Sequence, residues 1–304
     1  MYVTEATRSI MGTPVAITIV APNADETKKA LSLAFIEIRR IEDLMSIYKE
    51  DSEVSILNRD AFCGDASPEL IHVIKTAGYY SELSKGAFDI TVLPILDLWQ
   101  EKANEGIFPT DAEISRSLEL VNYRNIVVED RGLRFKKGGM RLTLAGIAKG
   151  YAVDIAIEAL RREGIRHALV NAGGDIRALG EKARGIPWRI AVRDPKDKRR
   201  SASIVKLCGE AIATSGSYER HIGREMKVSH IINSRTGQPA QWLQSTTIIT
   251  KNAIDADALS TVVFSLGVDK GMEVVERLDG VEALVITKEG EVIRSSGFQH
   301  YETL

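Results

Sequence analysis

The sequence predicts an α+β fold, one domain over residues 1–304 with mixed and largely antiparallel sheets packed with helices. Three observations lead there. Strand-like and helix-like segments are interspersed without the regular alternation that marks a parallel sheet. From Trp188 onward, short strand-like runs follow one another across Gly, Pro and charged turns, which leaves no room for the crossover helices that parallel strands need. With 304 residues, 44% of them hydrophobic and 27% charged, the chain can bury a substantial core.

Val15 to Val20 is a largely apolar run, a candidate buried strand entered through Met11-Gly12-Thr13-Pro14 and broken by Pro22-Asn23. Leu31, Ala34, Phe35, Ile38, Ile41 and Met45 then recur at helical spacing and predict a long amphipathic helix. Ser67-Pro68-Glu69 supplies a cap, a first-turn proline and an acidic residue, so a helix starts there and stops by Gly86. Thr110 to Glu113 has the spacing of a capping box. Ile126–Val128 and Leu133–Phe135 flank Asp130-Arg131-Gly132 as a hairpin.

Gly138-Gly139 turns the chain into Met140 to Leu144, short and apolar enough to be a buried strand. A helix from Ile147 to Arg162 and a strand from His167 to Asn171 follow, an order that a right-handed crossover unit would explain. Further strands are expected at Trp188–Arg193, Ala202–Leu207, Met226–Ile232 and Thr246–Thr250. Helices are expected at Ile254–Leu266 and Lys270–Leu278, before a closing hairpin of Ala283–Thr287 and Val292–Arg294. Trp99, Trp188 and Trp242 are all expected to pack in the core.

Several function classes are excluded early. A net charge of −2 provides no global field to recruit nucleic acid or an anionic membrane, and Lys196, Lys198, Arg199 and Arg200 read as a solvated hairpin tip. Cys63 and Cys208 form no CxxC pair and suggest neither a disulfide framework nor a zinc site. No apolar run approaches the roughly 18 residues of a membrane span, and no leader or lipobox is present. A cytoplasmic location is therefore expected for the chain as written; a chain trimmed of its leader would look the same and would be exported or membrane-anchored.

Asp257 and Thr261 stand four apart on the predicted helix Ile254–Leu266 and share a face. A carboxylate and a hydroxyl so placed are hard oxygen donors suited to Mg²⁺; equally, Thr261 can bond its own helix while Asp257 favours the helix N-terminus. Ala145-Gly146 at a strand-to-helix junction, with Lys149 in the first helical turn, can receive an anion or simply pack closely. Gly173-Gly174-Asp175 is either a ligand-binding strand end or an ordinary turn. The Thr214 to Tyr218 cluster can donate hydroxyls, and Phe88 to Thr91 is an irregular segment able to line a pocket. His230 lies in a strand-like run with polar neighbours, where a packed side chain and a proton-transfer group are both open readings.

The order and spacing of these segments decide more than any one of them. Met11-Gly12-Thr13, Ser46-Ile47-Tyr48 with Leu57-Asn58, Phe88-Asp89-Ile90-Thr91, Gly146 to Asp154, Asn171 to Ile176, Ala213 to Gly216, His230-Ile231 and Ala256 to Thr261 form one series over about residues 10 to 300. In this the chain resembles the ApbE family of FAD:protein FMN transferases. The resemblance implies Mg²⁺-dependent cleavage of FAD, with FMN passing to a Ser or Thr hydroxyl of an acceptor flavoprotein as a phosphoester and AMP leaving. Acceptors would be flavin-bearing subunits of membrane redox pumps or related reductases.

Residue by residue, the resemblance places Asp257 and Thr261 as metal ligands with the carbonyl of Ala145 as a third. It places Met11, Gly12, Thr13, Tyr48, Asp89, Gly146, Lys149, Gly173, Gly174, Asp175, Ser215 and His230 at the FAD. His230, Lys149 and Asp257 would act in transfer. Four positions depart from the family pattern: Thr143 stands for the usual aspartate, Ala145 for the commoner glycine, and Asn233-Ser234 for Asp-Pro. Two other readings of the same residues are an FAD pyrophosphatase giving FMN and AMP, and a non-catalytic FAD-binding protein.

Overall fold

The computed structural model of the chain describes residues 2–303 apart from Lys198, 218–220 and 224–227. In chain order, β1 (Tyr2–Ile10) and β2 (Thr13–Ala21) lead to α1 (Ala24–Met45), α2 (Glu53–Asp60), β3 (Phe62–Cys63) and α3 (Pro68–Leu83). Next come α4 (Leu93–Asn104), α5 (Asp111–Leu118), β4 (Ile126–Glu129), β5 (Gly132–Phe135), α6 (Ala148–Arg162), β6 (Ala168–Ala172) and β7 (Asp175–Leu179). β8 (Trp188–Arg193), β9 (Ser201–Leu207), β10 (Ala211–Gly216), β11 (His221–Ile222), β12 (Val228–Ser229), β13 (Ile232–Asn233) and β14 (Gln238–Pro239) follow. The chain closes with β15 (Leu243–Thr250), α7 (Ala253–Leu266), α8 (Val268–Glu276), β16 (Glu282–Thr287) and β17 (Val292–Arg294).

Among the described residues, eight strands form one sheet in the order β1-β2-β6-β7-β10-β15-β16-β17, every neighbouring pair antiparallel. Both faces of the sheet are buried over its inner strands, and alternation along those strands divides their side chains between two cores. Ile17, Ile19, Ala213, Ile248 and Val285 face α1, α6 and α7. Val20, Ile212, Ile249, Leu284 and Ile286 face the β8–β9 hairpin through Trp188, Val192, Val205 and Leu207. A smaller cluster of Ile95, Trp99, Ile114 and Ile232 joins the α4–α5 lobe to β13.

The expected helix signals act as written. Ser67 accepts from Leu70 N at 3.1 Å, and Thr110 and Glu113 form the reciprocal capping box. The β4–β5 and β16–β17 hairpins form where their turns predict, and the β8 and β9 runs pair with each other.

Four expectations are corrected. Met140 to Leu144 is not a strand: it is largely buried, but its backbone bonds to a side chain and a distant carbonyl instead of a ladder. Asn58 takes both partners of Leu142, donating to its carbonyl at 2.8 Å and accepting from its N–H at 2.7 Å, and Thr143 N donates to Ile90 O at 2.8 Å. Without that strand there is no crossover unit, and β6 pairs antiparallel with β2 and β7. The run Met226–Ile232 starts outside the described residues and is interrupted at His230-Ile231 between two short strands. Trp99 and Trp188 are buried, but Trp242 is 71% exposed because it stands on the surface beside Gly267. The edge strand β1 carried no strand signal, since its mostly polar, exposed residues lack an apolar alternation. Cys63 and Cys208 are both free thiols, and the tip between β8 and β9 carries Lys196, Arg199 and Arg200, with Lys198 outside the described residues.

Candidate active site

One end of the eight-stranded sheet opens into a cleft. Register puts the turn after β1, the turn between β6 and β7, and the end of β10 at that end, so Thr13, Gly173, Asp175 and Ser215 meet there from sequence-distant segments. Gly146 and Lys149 at the start of α6, Asp257 and Thr261 on α7, and the segments holding Phe88 and His230 complete the wall.

Two glycines permit the close approach. Gly173 has φ +63°, and a Cβ there would lie 2.3 Å from Thr13 Oγ1. Gly150 has Ala253 O at 2.2 Å from the place of a Cβ, so α6 and α7 cross nearly backbone to backbone. That crossing lets Gly150 N donate to Asp257 Oδ2 at 3.0 Å.

The charged centre is a triad. Lys149 Nζ ion-pairs with Asp175 and lies 3.6 Å from Asp257 Oδ2. Asp175 and Asp257 are both buried. Burial first, and then the neighbouring Asp175 carboxylate, push the Asp257 carboxyl up to about 7, against the pull of Lys149. Two buried acids sharing one lysine leave excess negative charge that a cation would relieve. Ser215 Oγ lies 2.7 Å from Ser260 Oγ and 3.3 Å from Thr261 Oγ1, which fixes the hydroxyl beside Asp257. Thr261 also leans on its own helix at 3.4 Å from Asp257 O, the packing alternative in weak form.

Among the described residues no group of three or more His, Cys, Asp or Glu is arranged to hold a metal. Asp257, Thr261 and Ala145 all line the cleft, and a carboxylate, a hydroxyl and a backbone carbonyl are hard oxygens of the kind that fits Mg²⁺. The N-cap residue of α6, Ile147, makes no side-chain cap; of the first amides, Ala148 N donates to Leu144 O at 2.8 Å and Gly150 N to Asp257 Oδ2 at 3.0 Å.

Of the residues singled out from sequence, the cleft brings together Thr13, Asp89, Ala145, Gly146, Lys149, Gly173, Asp175, Ser215, His230, Asp257 and Thr261. Met11, Gly12, Tyr48 and Gly174 do not line it. Met11 and Gly12, both at positive φ, build the two-residue β1–β2 turn. Gly174 lines an adjoining groove, and Tyr48 is 91% exposed. Asp89 is at the cleft but its oxygens are engaged by Thr91 N and Oγ1 and by Tyr123 N, with burial raising its carboxyl from the ordinary value.

Sequence reasoning missed Ser265, whose buried hydroxyl lines the cleft with no partner among the described residues, and gave no role to Asn58. The departing residues lie close by: Thr143 and Ser234 line the cleft, and Asn233 Nδ2 donates to Ser265 O at 2.9 Å.

The model of the ApbE family matches residues 11–285. An FAD:protein FMN transferase of Vibrio cholerae is 32% identical over 271 residues, 87% of this chain and 79% of the relative. One of Haemophilus influenzae is 32% identical over 274 residues, covering 85% and 79%. The crystal structure of the ApbE protein of Thermotoga maritima superposes with a TM-score of 0.90 at 31% identity over 100% of both chains. The flavin transferase ApbE of Vibrio cholerae superposes with a TM-score of 0.86 at 30% identity, covering 99% of this chain and 100% of that one.

Proposed function

The chain belongs to the ApbE family and is an FAD:protein FMN transferase, and from that premise we propose that it works with Mg²⁺, modifies a Ser or Thr hydroxyl and releases AMP. The observation that carries this reading is the Lys149–Asp175–Asp257 triad, two buried carboxylates on one lysine at the start of α6, a place suited to a metal-bound diphosphate. Among the described residues no helix is long and apolar enough to cross a membrane.

In this reading the acceptor hydroxyl oxygen forms a bond to the FMN phosphorus while the bond from that phosphorus to the bridging oxygen breaks. AMP leaves with the bridging oxygen, and the hydroxyl proton passes to a base. Asp257, Thr261 and the Ala145 carbonyl would hold a divalent cation, which would supply charge neutralisation on the diphosphate. Lys149 contributes a second positive charge. Thr13, Gly146, Gly173, Asp175 and Ser215 shape the nucleotide's bed, and His230 takes the hydroxyl proton. Met11, Gly12, Tyr48 and Gly174 touch FAD only where it extends past the cleft, and Asp89 serves by holding its loop.

Incubation with FAD, Mg²⁺ and an acceptor flavoprotein domain, read by intact mass, tests this. Covalent FMN on the acceptor's Ser or Thr with stoichiometric AMP supports it. Free FMN and AMP with an unmodified acceptor would make the chain a pyrophosphatase under these conditions, and unchanged FAD would leave binding alone.

A further inference from the structure

Behind the cleft lies a second ion pair between the same two elements, with its charges reversed. Lys149 of α6 meets Asp175 of β7 in the cleft; Asp154 of α6 meets Arg177 of β7 behind it, at 2.7 Å between Asp154 Oδ1 and Arg177 Nη1. Asp175 and Arg177 are two apart on one strand and therefore share a face. Asp154 and Arg177 are both buried, and neither lines the cleft.

Asp154 does one thing more. Its Oδ1 accepts from Ala253 N at 2.8 Å and its Oδ2 from Ile254 N at 2.9 Å, so its carboxylate caps α7 from another helix. The residue preceding α7, Asn252, makes no cap with its side chain and bonds Asp255 instead. Ala253 and Ile254 lie one helical turn before Asp257, and Gly150 lies one turn before Asp154. The two helices are thus tied at two rungs: Gly150 to Asp257, and Asp154 to Ala253 and Ile254.

We propose that Asp154 and Arg177 are positioning residues for flavin transfer, a strut that sets the height of α7 and so holds Asp257 and Thr261 against Lys149. The proposal rests on the reading of the cleft given above. Arg177 supplies the countercharge that lets a carboxylate stay buried while it caps. Removing one partner alone strands a buried charge, so the informative change removes both. In Asp154→Asn/Arg177→Met no net charge is stranded, but the carboxamide offers one acceptor oxygen to two amides. Asp154→Glu is the companion variant: it keeps the ion pair and lengthens the strut by one methylene.

Three measurements on the full chain decide the matter: the unfolding midpoint, amide hydrogen exchange by mass spectrometry, and the KM for FAD in the transfer assay. The expected result is a midpoint within about 5 °C of wild type in at least one variant. In that variant, exchange rises about tenfold over 253–261, and KM for FAD rises about tenfold, as a displaced ligand helix would cause. A folded variant with wild-type exchange and wild-type KM overturns the proposal, as does loss of folding in both variants, which would make the pair purely structural. If the wild-type chain transferred no FMN, the reading of the cleft would fail, and the exchange data alone would still decide whether the strut holds α7.

Discussion

The backbone N–H of Gly150 donates to the carboxylate of Asp257 at 3.0 Å, a contact that exists because Gly150 has no side chain to hold the two helices apart. A Cβ at 150 would sit 2.2 Å from Ala253 O and 2.8 Å from Asp257 Cβ, against a backbone atom that cannot swing aside. Gly150→Ala is therefore expected to separate α6 from α7 at a cost of about 1–3 kcal/mol. A fall in the thermal midpoint together with weaker divalent-cation binding is the expected pair of results. An unchanged midpoint would mean the helices move apart freely.

The Asp257 carboxyl, raised to about 7 mainly by burial and then by Asp175, makes cation binding a competition with a proton. Affinity for Mg²⁺ or Mn²⁺ should rise from pH 5 to about 7 and level off above it, as calorimetric titration would show. The stability sign follows from the same shift. A carboxyl with a raised folded-state value contributes most stability below its ordinary unfolded value, near 4, and loses that contribution as pH climbs toward 7. The metal-free chain should thus lose stability over that window, while Asp257→Asn should flatten this part of the profile and abolish cation binding.

Asn58 stands in for a missing strand, pairing with both the N–H and the carbonyl of buried Leu142. Asn58→Ala leaves two backbone groups unmatched, at about 1–3 kcal/mol each. Urea unfolding should register the loss. Because the freed segment leads into Ala145 and Gly146, KM for FAD should rise as well, and a variant destabilised at constant KM would limit Asn58 to the fold.

His230 lines the cleft on the link between β12 and β13. If it takes the hydroxyl proton, His230→Ala should lower the transfer rate by about 10²–10⁴ with FAD affinity nearly unchanged. A variant that transfers FMN at the wild-type rate would move the role of base elsewhere.

What the sequence by itself determined is what short range decides. Ser67-Pro68, the Thr110–Glu113 box and the Asp130-Arg131-Gly132 turn act within a few residues, and the apolar spacing of α1 repeats along its own length. The series of motifs from Met11 to Thr261 also carried the family and most of the residues that meet at the cleft. Tertiary structure decided the rest. Met140 to Leu144 has the composition of a strand, but whether such a segment joins a sheet depends on which partner meets its backbone, and here that partner is Asn58. Likewise no local pattern marks Arg177 as the countercharge of Asp154, or Asp154 as the cap of a helix about a hundred residues away. Those pairings come from the register of β7 beside α6, because charge and hydrogen-bond complementarity are settled by proximity in space.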